Sequence, residues 1–93
     1  MSAGNIQCGR PLTSATTGSV VNLLPNSAIL LGIFANAAGT VALYDEGANP
    51  TGTAADSLGS LTLVAGWNPY PVEFTKGLSV NQSAVCYYVI VPT

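Results

Sequence analysis

Histidine is absent from this chain, and charge nearly is. Two basic and four acidic side chains, Arg10, Asp45, Glu46, Asp56, Glu73 and Lys76, carry all the formal charge on 93 residues. That is 6% of the chain, where an ordinary soluble domain has about 25%. Without histidine, a Ser–His or Cys–His nucleophile pair is excluded. Lys76 remains as a base, but it stands beside Gly77 in a turn pattern. The residues therefore point away from an enzyme. Two basic residues cannot neutralise a run of phosphates or hold an anionic bilayer, so neither nucleic acid nor a membrane is expected as a partner. Neither GxGxxG after a strand nor GxxxxGK(S/T) occurs, and no cofactor is expected. Long hydrophobic runs are missing as well. The most apolar window, residues 28–43, is broken by Gly32, Asn36, Gly39 and Thr40 and is shorter than the about 20 residues a bilayer requires. The first six residues lack the basic and apolar regions of a secretory leader. A soluble chain that bypasses the general secretory route is expected. The only cysteines, Cys8 and Cys86, are too far apart for CxxC spacing. A disulfide joining the first and last strands is one reading; two buried thiols in a reducing cytoplasm is the favoured one.

The shortage of charge bears on assembly, because charge keeps folded surfaces wet and apart. A folded chain of this mass exposes roughly 5,000 Å². Each charge then serves roughly 800 Å², close to the area one partner buries in a standard interface. Much of this surface is therefore expected to lie against other protein, and a homo-oligomer is expected.

What the chain does have is punctuation. Ten glycines and six prolines separate short runs rich in Val, Leu, Ile, Tyr, Phe and Thr, the all-β pattern. Strands are expected at residues 5–8, 19–24, 28–35, 40–45, 58–64, 70–74, 78–82 and 84–91. Asn36 to Gly39 reads as a tight hairpin loop joining 28–35 to 40–45. Residues 46–57 form the longest loop, and 65–69 read as a turn. Pro71 cannot donate to a ladder, which places its strand at an edge or beside a bulge. In residues 84–91, Val85, Tyr87, Val89 and Val91 share one face; Cys86, Tyr88 and Ile90 share the other. Neither face is polar, so the strand is central, with the core on one side and a neighbouring subunit expected on the other. Seven or eight short strands make a single two-sheet β-sandwich of Greek-key or jelly-roll type. Residues 1–18 are expected as an N-terminal arm or extended segment, and 19–93 as the sandwich domain.

Few residues offer site chemistry. Asp45-Glu46 with Asp56 could gather around Ca²⁺, but the spacing matches no EF-hand loop. The favoured reading is carboxylates that cap backbone N–H groups of a turn, with no metal. Trp67, Tyr70, Phe74, Tyr87 and Tyr88 could form a sugar-stacking platform, with Asn68 and Asn81 as polar partners. Core and interface roles are favoured for these aromatics. Arg10, Trp67, Tyr70 and Tyr88 are the candidate partner contacts, with loop 46–57 a second contact region.

One series of segments is familiar in its order. Gly39-Thr40-Val41-Ala42-Leu43-Tyr44-Asp45 leads to Leu61-Thr62-Leu63-Val64-Ala65-Gly66-Trp67, then to Pro69-Tyr70-Pro71-Val72-Glu73-Phe74 and Gly77-Leu78-Ser79-Val80. The series resembles small β-sandwich virion proteins of tailed bacteriophages, over roughly residues 28–91. It departs from them at its end, where Val91-Pro92-Thr93 replaces a basic residue. The resemblance implies a non-enzymatic structural protein of the virion, assembled in the host cytoplasm. Its expected role is a capsid cement or decoration subunit, commonly a homotrimer, that contacts the major capsid protein or another virion protein. A tail, neck or head-fibre component is the alternative, and a small carbohydrate- or host-receptor-binding module is another.

Overall fold

The computed structural model describes residues 10–14 and 17–92. Eight strands follow in order: β1 Arg10–Ser14, β2 Val21–Leu24, β3 Ala28–Ala35, β4 Gly39–Tyr44, β5 Ser57–Leu63, β6 Gly66–Phe74, β7 Leu78–Gln82 and β8 Cys86–Pro92. A single 3-10 turn, Ala54–Asp56, precedes β5. The strands form two four-stranded antiparallel sheets, ordered β1-β8-β3-β6 and β2-β7-β4-β5. Successive strands alternate between the sheets, except that β4 pairs directly with β5. This is the jelly-roll form of the expected two-sheet sandwich.

Alternation of side chains explains how the sheets adhere. From β3 and β8 the inward residues are Ala28, Leu30, Ile33, Ala35, Cys86, Tyr88 and Ile90; the facing sheet supplies Val41, Leu43, Leu63, Leu78 and Val80. Phe74 comes from the edge strand β6. All are essentially sealed from solvent. Polar groups within this layer find partners. The Tyr88 hydroxyl donates to Gln82 Oε1 at 2.6 Å; on the opposite side of β7, Ser79 is buried beneath the loop after β4 and its Oγ donates to the Glu46 carbonyl at 2.9 Å. Burial pushes the Tyr88 phenol well above its ordinary value, with Cys86 adding to the effect. Burial also raises the Cys86 thiol, whose Sγ donates to the Ala84 carbonyl at 3.2 Å.

The structure corrects several expectations. Asn36 to Gly39 does not close a hairpin. β3 and β4 lie in different sheets, so this loop arches across the sandwich. Turn residues reverse the chain in either geometry, and only pairing distinguishes them. The first described strand is Arg10–Ser14, paired with β8 from Arg10↔Ile90 to Ser14↔Cys86. That part of the expected arm is thus an edge strand of the sandwich. The strand placed at 5–8, Cys8, and the remainder of the arm at residues 1–9 and 15–16 lie outside the described residues. The turn placed at 65–69 is shorter, because β6 already runs from Gly66. Asn68 takes over part of the turn's hydrogen bonding. Its Oδ1 accepts from the Val64 N–H at 3.0 Å, and its Nδ2 lies within donating distance of the Val64, Gly66 and Ile33 carbonyls. The Pro71 expectation is met on both counts: β6 is an edge strand and it borders a bulge.

Candidate functional site

The bulge decides what the outer face of the β1-β8-β3-β6 sheet presents. Leu30 pairs with Ile90 and Gly32 with Val89, so Leu31 is an extra residue in β3. An extra residue shifts the side-chain parity of everything that follows. Unbroken alternation from the buried Ala28 and Leu30 would turn Ile33 outward and Phe34 inward. With the bulge, Ile33 is fully buried and Phe34 is 47% exposed. Phe34 pairs in register with Tyr87 on β8 and with Trp67 on β6. Tyr87, Phe34 and Trp67 therefore form an aromatic row across three adjacent strands. Four of the five large hydrophobic side chains exposed among the described residues, these three and Leu31, lie on this face. The fifth, Val64, stands in the turn leading to Trp67.

Trp67 is held by the strand beneath it. A Cβ built on Gly32 would fall 2.6 Å from both Cζ2 and Cη2 of Trp67. The indole thus covers the Gly32 backbone closely, at a point where only glycine leaves room. It is still 47% exposed. Packing against the strand restricts the ring, which lowers the entropic cost of covering it. An exposed row of aromatics is suited to protein–protein contact, where aromatic side chains dominate the central energetics.

The candidate contacts separate accordingly. Trp67 lies on the exposed face. Tyr88 does not: it is 0% exposed, so its place as a partner contact is corrected. It shares the parity of Cys86 and Ile90 and fills the core. Tyr70 is half-buried against the core, with its hydroxyl donating to the Leu58 carbonyl at 2.7 Å, an internal structural contact. Arg10 begins the edge strand β1. Sequence reasoning did not single out Phe34 and Tyr87 as contacts. Tyr87 carried a usable signal, its alternation opposite Cys86 and Ile90. Phe34 carried only Gly32, a glycine within a strand pattern, which marks a bulge. The sugar platform dissolves as a unit, since Phe74 and Tyr88 are core residues and the Asn68 amide is engaged within its turn.

At the loop end of β4, the carboxylates cap backbone as expected. Asp45 accepts from the N–H groups of Thr75, Lys76 and Gly77, the shortest at 2.7 Å, and from the Thr75 hydroxyl. Glu46 accepts from the N–H groups of Thr51, Gly52 and Thr53 and from the Thr51 hydroxyl. Asp56 pairs with Lys76 at 3.0 Å, an exposed contact that contributes little. The Gly52 N–H leads the groups that hold the Glu46 carboxyl down to about 2 from its ordinary 4.5, against an opposing effect of burial. For Asp45, burial raises the carboxyl, but the Lys76 and Thr75 hydrogen bonds outweigh it and hold it below 3.8. A carboxyl depressed by folding stabilises fully above its unfolded value and loses that effect as pH falls through its folded one. Glu46 stabilisation is thus complete above 4.5 and disappears toward about 2. The thermal midpoint is expected to fall with acidification across that window, and Glu46→Gln is expected to flatten the fall. An unaltered acid profile in Glu46→Gln would refute the assignment.

The outer face of the second sheet is different in kind. Thr40, Ala42, Ser60, Asn81 and Ser83 help line a shallow uncharged depression of about 240 Å³. The aromatic row on one side of the sandwich is therefore opposed by a small, hydroxyl-lined depression on the other. No family model, curated protein or solved structure matches the chain.

Proposed function

We propose that this chain is a non-enzymatic bacteriophage virion protein, a cement or decoration subunit that stabilises the shell through protein–protein contacts. The observation that carries this reading is the exposed Tyr87–Phe34–Trp67 row on a charge-poor sandwich. The ordered resemblance of the 39–45, 61–67, 69–74 and 77–80 segments to phage virion proteins supplies the biological setting. The role is mechanical. Apolar area covered on binding contributes about 25 cal/mol per Å² before the costs of association. Repetition of one contact over a lattice converts modest affinity into strong collective attachment. Loop 46–57, clasped by Glu46, presents a preorganised second contact region.

Purified chain added to expanded capsids that lack it is expected to co-sediment with them and to raise the temperature at which they release their contents. Failure to co-sediment at saturating concentration would overturn the cement reading. Binding to tail or neck assemblies instead would favour the alternative virion location, and binding to glycans or host cells a receptor module.

A further inference from the structure

We propose that the Tyr87–Phe34–Trp67 face is covered by the same face of a second copy of this chain. The inference rests on reading that face as a protein–protein contact surface and assigns it to contact between copies of the chain, which leaves loop 46–57 as the region that meets the shell.

Three observations select the occupant. The first is area. Phe34 and Trp67 each expose 47% of their surface and Tyr87 38%. With aromatic side chains of about 150–250 Å², the three rings, Leu31 and Val64 together offer roughly 400 Å² of apolar surface. One partner's share of a standard interface is about 800 Å², of which about 57% is apolar. The face and the adjoining turn thus supply nearly the whole apolar share of one side.

The second is charge. Among the described outward residues of β8, β3 and β6, Glu73 is the only charged one. It pairs with Ile29, five residues along β3 from Phe34, roughly 15 Å from the row at about 3.3 Å per residue. Two copies can therefore meet row to row without bringing like charges together at the centre. The opposite sheet offers no such counterpart, because its hydroxyls and amide would lose water without an assured hydrogen-bond partner.

The third is the edge. β6 borders the face and carries Pro69 and Pro71, neither of which has an N–H to donate. A second copy cannot readily extend the sheet from β6, so on that side of the sandwich the face itself is the route of approach.

The test is the mass of the full chain by sedimentation equilibrium over a wide concentration range, with circular dichroism to confirm folding. Wild-type chain is expected to associate. Phe34→Glu and Phe34→Lys, each tested alone, are expected to weaken association at least tenfold, and mixing the two is expected to restore it, because the rows face each other. Tyr87→Glu gives a second disruption should either Phe34 variant fold poorly. Thr62→Glu, on the outward side of the other sheet, is expected to leave association unchanged. A wild-type chain that stays monomeric throughout overturns the proposal, as does a charge mixture that fails to re-associate. A monomer that still co-sediments with capsids would overturn this inference and leave the virion role standing; an oligomer that ignores capsids would do the reverse.

Discussion

Tyr88→Ala is expected to lower the free energy of unfolding by about 3–5 kcal/mol, the range for removing a large aromatic ring from a core. Tyr87→Ala, one residue earlier, is expected to cost about 1 kcal/mol or less, the scale of a cross-strand pair on an exposed sheet face. The contrast follows from parity. Tyr88 is 0% exposed, packed between the sheets, and donates to the buried Gln82 Oε1. Its truncation leaves a cavity and removes that donor together. Tyr87 projects from the opposite face of the strand. A domain of this size is stable by about 5–15 kcal/mol in total, so the Tyr88 variant should be close to unfolding. At about 4–8 °C per kcal/mol, its thermal midpoint should drop by roughly 15–30 °C. Tyr88→Phe separates the two contributions by keeping the ring and removing the hydroxyl, at a cost of about 1–3 kcal/mol. Calorimetry on the variants decides the matter: equal midpoints for Tyr87→Ala and Tyr88→Ala would mean that the strand's faces have been assigned wrongly.

Gly32→Ala is expected to act on stability and on the aromatic row at once. The added Cβ would lie 2.6 Å from two Trp67 ring carbons and 2.7 Å from the Asn68 carbonyl oxygen. The indole can swing away, but the carbonyl belongs to the β6 backbone and yields only if the strand shifts. Overpacking of this kind costs about 1–3 kcal/mol, and Gly32→Val should reach the upper end. Trp67 is the single tryptophan of the chain, so its emission reports the ring's position directly. The expected result is a lowered urea midpoint with a red-shifted emission maximum as the indole leaves its seat. Wild-type emission together with wild-type stability would show that Trp67 does not lie over Gly32.

The fold class was legible because its signals are local. Strand-forming runs bounded by glycine and proline indicate a β protein, and Pro71 marks an edge. The capping role of Asp45 and Glu46 was legible for the same reason, since short acidic side chains beside turns seek backbone N–H groups. Three features were not legible. The 36–39 loop reverses the chain whether it joins neighbours in one sheet or crosses between two, and its residues suit both. Pairing of β1 with β8 brings together segments at opposite ends of the sequence, which no local pattern records. The exposure of Phe34 depends on one extra residue at Leu31, and Ala28 to Ala35 is apolar throughout, so its pattern does not reveal where the parity changes. Tyr88 was misplaced among the contacts for a related reason. In a strand apolar on both sides, the sequence does not distinguish the core side from the outer one.

The position of β8 sets an order on synthesis. It lies between β1 and β3, and it is made after both of them. Until it arrives, β1 has no neighbour in its sheet, and Phe34 lacks the tyrosine that flanks it in register. A chain that stops short of β8 therefore has an unfinished aromatic row. Only chains translated through to β8 acquire the aromatic row in full, so the row forms after the strands on either side of it have been made.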